Sequence, residues 1–107
     1  MPEDLKTRDL ADIESELKPE IKITTPRMYK VIIHNDDYTT MDFVVEILMN
    51  IFNKPAAEAT KIMLDVHKKG KGICGVYTYD IAVTKVLQVH HEARKKEYPL
   101  KCSYEEA

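Results

Sequence analysis

The stretch VIIHNDDYTTMDFVVEIL, Val31 to Leu48, decides how this chain folds. It begins three residues into MYKVIIH (Met28–His34), which alternates and is rich in β-branched residues, so it reads as a strand. The polar run Asn35-Asp36-Asp37 breaks the strand, because Asx side chains bond to nearby backbone and favour turns. Thr39 or Thr40 then caps a helix, and Asp42 suits that helix's positive N-terminal end. Met41, Val44, Val45, Leu48, Ile51 and Phe52 give it a broad apolar stripe.

Working outward, Lys54-Pro55 begins a second helix, with proline at a tolerated first position. Ala59, Met63 and Val66 mark one face of that helix, and Gly70 ends it after Lys68 and Lys69. ICGVYTY is a second strand. Thr78 caps a third helix, about Tyr79 to Lys96, with Ala82, Val86, Val89 and Ala93 inside and Tyr98-Pro99 as its stop. LKCSY is a short last strand. The order β-α-α-β-α-β predicts an α+β fold, a three-stranded antiparallel sheet packed with three helices.

Upstream the pattern is different. Residues 1–26 carry seven acidic and four basic residues, hold three prolines and lack aromatics, so they are expected to be a flexible N-terminal extension to a core domain at 27–107. Within the extension, Leu10, Ile13 and Leu17 fall on one side of a helix, should one form on a partner.

At 107 residues one domain is the natural count, and roughly 65% of the unfolded chain's surface can be buried. The net charge of −2 leaves no basic face for nucleic acid as the main partner. No apolar run approaches the ~18 residues of a membrane span. The acidic N-terminus has no apolar signal core, so a cytoplasmic protein is expected. Cys74 and Cys102 form no CxxC pair and cannot make a zinc site alone, so free, buried thiols and no bound metal or cofactor are expected. Nothing in the composition demands more than a monomer.

The chemistry concentrates at two places. One is the strand-to-helix junction, where Asn35 and Asp37 offer acceptors. The other is the second helix, where Met63, Val66 and His67 share a face at i, i+3 and i+4. Taken singly, an Asx turn and a rim histidine account for these residues. If the two places meet, an acidic mouth stands above an apolar floor. That combination fits an ammonium group next to a large apolar side chain, as at the N-terminal residue of another protein.

These motifs carry a resemblance. YKVIIHNDDYTTMDFV, MLDVHKKGKGICGVYTYDIAVTK and YPLKC resemble, in order and spacing, the ClpS family of adaptors, over about Met28 to Tyr104. The resemblance implies a non-catalytic adaptor. It would select proteins with destabilising N-terminal residues (Leu, Phe, Tyr, Trp) and deliver these N-degron substrates to the ClpA unfoldase of the Clp protease. It also implies site residues. Asn35, Asp37 and His67 would hold the α-amino group. Ile33, Thr39, Met41, Val44, Met63, Val66 and Leu100 would line the side-chain pocket, with Met41 as a gatekeeper against β-branched residues. Asp80 and Lys85 would meet the unfoldase. Thr40 stands where many members have proline, and Asp80 where the family often has glutamate. His90 and His91 are expected on an exposed face of the third helix.

Two other readings compete. His34, Asp36, Asp37 and His67 can be drawn as a metal or acid–base site, but strand alternation points His34 away from Asn35 and no nucleophile or phosphate loop accompanies them. A generic interaction module of the same fold would have no need for Asn35, Asp37 and His67 beside a methionine-lined pocket.

Overall fold

The computed structural model describes residues 25–107. The expected N-terminal extension, with Leu10, Ile13 and Leu17, therefore lies outside the described residues except for Thr25 and Pro26. The elements are β1 (Met28–His34), α1 (Met41–Asn50), α2 (Ala56–Lys69), β2 (Lys71–Thr78), α3 (Tyr79–Lys95) and β3 (Lys101–Glu106). This is the expected α+β order. β1 is the central strand of a sheet ordered β2-β1-β3, and both pairings are antiparallel.

Strand alternation in β1 separates two faces. Val31 and Ile33 are fully buried in the core with Val44, Leu48, Ala82 and Val89 from the helices. Each of the valine, isoleucine and leucine side chains stabilises the fold by about 1.5–3 kcal/mol relative to exposure. Lys30 and His34 point to the opposite face, and His34 Nε2 lies 2.7 Å from Ser103 Oγ on β3. The β1–β2 register shifts between Val31 and Ile32, which face Gly75 and Ile73. Cys74 is the extra residue of this bulge, and its side chain is fully buried. Both cysteines are free and buried. Burial pushes both thiols up, that of Cys102 to about 12.

The helix ends follow local chemistry, with some departures from expectation. Thr40, not Thr39, caps α1, its hydroxyl accepting from the Phe43 N–H. The stripe of α1 is turned from the one expected: Phe43, Val44, Ile47 and Leu48 are buried, while Met41 is 46% exposed. Pro55 is the cap of α2 rather than its first residue, and Gly70 ends α2 in the left-handed region at φ 89°. Thr78 sits at the cap of α3 without a side-chain capping bond. α3 stops ahead of Pro99. The Tyr98 N–H donates to Ala93 O and the Glu97 N–H to Arg94 O, with Glu97 in the left-handed region at φ 60°.

His90 corrects another expectation. It is half-buried and not on an exposed face: its Nε2 accepts the backbone N–H of Cys102 at 3.0 Å. That bond joins α3 to β3 and occupies one donor on the strand's free edge.

Candidate functional site

Two walls form the site, and the backbone holds them together. One wall is the turn from β1 into α1. The other is the last two turns of α2. The Asn35 N–H donates to the carbonyl of Gly70, the residue that ends α2, at 2.9 Å. Below that bond α2 lies very close to β2. A Cβ on Gly72 would come within 2.8 Å of Val66 Cγ2 and 3.2 Å of the Ile62 carbonyl. Only glycine lets the helix approach so far, and the approach carries Met63, Val66 and His67 toward the turn.

The turn itself divides its carboxylates. One oxygen of Asp36 accepts the N–H groups of Tyr38 (2.8 Å) and Thr39 (2.7 Å), and the other accepts the Thr39 hydroxyl (2.7 Å). Burial raises the Asp36 carboxyl, but the bonds from Thr39 and Tyr38 outweigh it and hold the group below the usual carboxylate value. Asp36 is thus committed to shaping the turn. Asp37, next in the chain, is exposed, and among the described residues no hydrogen bond or ion pair engages the side chains of Asn35, Asp37 or His67.

Between the walls is an open cavity of about 440 Å³. Asn35, Asp37 and His67 line its mouth, with Asp36 and Tyr38 beside them. Thr39, Met41, Val44, Met63 and Val66 also line it. Val44 and Val66 are buried, Met63 is half-buried, and Met41 stands exposed at one side. The volume falls within the roughly 300–1,000 Å³ of small-ligand sites. Chemically, the mouth can accept hydrogen bonds from a cation and the floor can take an apolar group.

Not every expected lining residue is here. Ile33 is fully buried in the core and Leu100 lines a separate cavity beside His90 and Tyr98. Ile33 is two residues from Asn35 in the chain and Leu100 begins the approach to β3, but neither side chain borders the cavity. Sequence reasoning missed Asp36, Tyr38 and Thr40 as neighbours of the cavity; adjacency to Asp37 and Thr39 was the available signal. Asp80 is exposed in the first turn of α3. Lys85 is half-buried, its Nζ donating to the Ile51 carbonyl at 2.6 Å and standing 5.9 Å from the centre of the Tyr77 ring.

A second, larger cavity of about 560 Å³ runs between α1 and α3, over Phe43, Ile47 and Leu87. Lys85 bridges its wall, and Glu92 on its rim pairs with Lys95 at 3.3 Å. Among the described residues, no group of His, Cys, Asp and Glu side chains could hold a metal ion, and no helix is long and apolar enough to cross a membrane.

Residues 24–103 match the family model for the ATP-dependent Clp protease adaptor protein ClpS. The chain belongs to the ClpS family. The matched span contains both walls of the cavity. Among its ClpS relatives, the ATP-dependent Clp protease adapter protein of Syntrophus aciditrophicus is 67% identical over 95 residues, covering 89% of each chain. That of Shewanella piezotolerans is 55% identical over 102 residues, covering 95% of this chain and 98% of the other. A solved structure of Agrobacterium tumefaciens ClpS2 bound to L-phenylalaninamide is 30% identical and superposes with a TM-score of 0.75, over 78% of this chain and all of that one. The ClpS relatives are named as adaptors of a protease, so the role of the family is non-catalytic.

Proposed function

We propose that this ClpS-family adaptor reads the N-terminal residue of other proteins through the cavity between the β1–α1 turn and α2. One observation carries the proposal: acceptors on Asn35, Asp37 and His67, unpaired among the described residues, converge on a cavity that is also lined by apolar side chains. A free α-amino group is a cation with several N–H donors. It binds Asp37 by a charge-assisted bond, and Asn35 Oδ1 and one imidazole nitrogen of His67 take the other donors. The residue's side chain enters between Met41, Val44, Met63 and Val66. Met41 limits its width near the backbone, which disfavours β-branched Val and Ile and admits Leu, Phe, Tyr and Trp. The likeness to a ClpS2 bound to phenylalaninamide, an aromatic residue with a free amino group, supports this reading.

The adaptor then delivers its N-degron cargo to the ClpA unfoldase of the Clp protease, in the cytoplasm and as a monomer. Asp80, exposed at the start of α3, is the contact expected for the unfoldase. Lys85 contributes less through its ammonium group, which is already bound to Ile51 O.

Fluorescence anisotropy tests the reading with three labelled peptides: one beginning with Leu, the same peptide N-acetylated, and one beginning with Val. Binding of the free Leu peptide alone is expected. Equal binding of all three, or of none, would leave a domain of this fold with a different partner.

A further inference from the structure

The three helices all pack on one face of the sheet, and the other face has an apolar strip with cations at one end. On that outer face Ile32 lies opposite Ile73, and Lys30 opposite Val76. Ile73 is 51% exposed and Val76 49%. Ile32 is covered by its neighbours but stands apart from the helix-side core. At the end of the strip, His34 lies opposite Lys71 on β2 and Lys101 on β3. Lys30 is paired with Glu105 at 3.7 Å, but among the described residues Lys71 and Lys101 meet no carboxylate at ion-pair distance. Edge-exposed β-branched side chains beside unpaired cations suit an occupant that is apolar on one side and acidic on the other.

The chain supplies such an occupant. Residues 1–24 carry seven acidic and four basic residues, a net −3, and the whole chain's −2 less that −3 leaves +1 for residues 25–107. Their apolar residues Leu10, Ile13 and Leu17 are set among Asp9, Asp12, Glu14 and Glu16. This segment joins the fold at Thr25, three residues before Met28, where the outer face begins. The eight residues from Leu17 to Thr25 span up to roughly 26–29 Å when extended. The seven residues of β1 run about 23 Å. The segment can thus reach the whole strip.

We propose that residues 1–24 dock across the outer sheet face, with Leu10, Ile13 and Leu17 on Ile73 and Val76 over the covered Ile32, and their acidic neighbours against Lys71 and Lys101. The contact is intramolecular and reversible. It covers apolar side chains that the helices leave open on the sheet, and it holds the segment against its own domain until a partner competes for it.

Paramagnetic broadening in the full chain tests this. A nitroxide is attached at Ser15→Cys; Cys74 and Cys102 are buried with raised thiol values and do not compete for the label. Loss of the Ile32, Ile73 and Val76 methyl signals is expected, while Leu87 and Leu64 on the helical side keep theirs. The loss should disappear when the label is carried with Leu10→Asp, Ile13→Asp and Leu17→Asp, and also with Lys71→Glu and Lys101→Glu. Broadening that is uniform, absent or centred on Leu87 overturns the proposal. So does broadening that survives either set of substitutions, or that appears only between a labelled and an isotope-labelled molecule.

Discussion

The two cavities of this domain differ in what their polar groups are free to do. The larger, between α1 and α3, is about 560 Å³, but its Lys85 already binds the Ile51 carbonyl and its Glu92 already pairs with Lys95. In the smaller, about 440 Å³, Asn35, Asp37 and His67 are unengaged among the described residues, because Asp36 supplies the side-chain bonds that build the turn. A buried or half-buried polar group that is already satisfied stabilises the fold; one left open at a cavity mouth is available to a ligand. Unspent hydrogen-bonding capacity, more than volume, separates the candidate binding cavity from the structural one.

The contrast breaks most readily at Asp37 and Asp36. Asp37→Ala should weaken binding of a free N-terminal Leu peptide by about 1.5–3 kcal/mol, roughly tenfold to a hundredfold, with little change in melting temperature. Asp36→Ala should do the reverse, costing about 1 kcal/mol of stability through the lost turn bonds and less in affinity. Anisotropy titrations and thermal melts of the two variants read both effects. Equal effects of the two would dissolve the division of labour.

Next in size is Gly72→Ala. The new methyl meets Val66 and the Ile62 carbonyl at distances that force α2 away from β2. A loss of about 1–3 kcal/mol in denaturant unfolding is expected, with weaker peptide binding because His67 moves with the helix. Lys85→Ala sharpens the comparison from the other side. It removes the ammonium that holds the end of α1 and should cost about 1 kcal/mol in stability while leaving amino-terminal binding unchanged.

Smaller still is a pH effect away from both cavities. Burial first, then the charge of Arg94, hold His90 below the ordinary histidine value, and its Nε2 must be unprotonated to accept the Cys102 N–H. A group with a lowered folded value contributes its stability above its unfolded value and loses it as pH falls through the folded one. The melting temperature should therefore drop between pH 7 and pH 5, and less so in His90→Gln. The smallest change expected is a gain: Glu97→Gly should stabilise by about 0.5–1 kcal/mol, because glycine occupies the left-handed C-terminal position of α3 at no steric cost.

The sequence showed the elements clearly where local chemistry sets them. MYKVIIH is β-branched enough to mark the strand, and Gly70 marks the end of α2. It was less clear where packing decides. The helix MDFVVEILMN is apolar nearly all round, so periodicity could not choose between Met41 with Val45 and Phe43 with Ile47 as the buried pair. Ile33 adjoins the site in the chain, but strand alternation turns its side chain into the core, and Leu100 lines the cavity beside His90 and Tyr98 instead. His90 reads as a surface residue until β3 is placed beside α3. Most of the candidate cavity's lining was legible, because it comes from two short motifs. The separate roles of Asp36 and Asp37 were not, since only the turn's geometry distinguishes adjacent identical residues.

The proposed contact between Asp37 and the ammonium group of the bound residue can be isolated by a double-mutant cycle. Affinities are measured for the free and N-acetylated Leu peptides on the native chain and on Asp37→Asn. If the claim holds, acetylation weakens binding strongly on the native chain and much less on the variant, a coupling of about 1.5 kcal/mol or more. If acetylation costs the same on both, Asp37 does not read the amino group, and this cavity does not recognise N-termini through it.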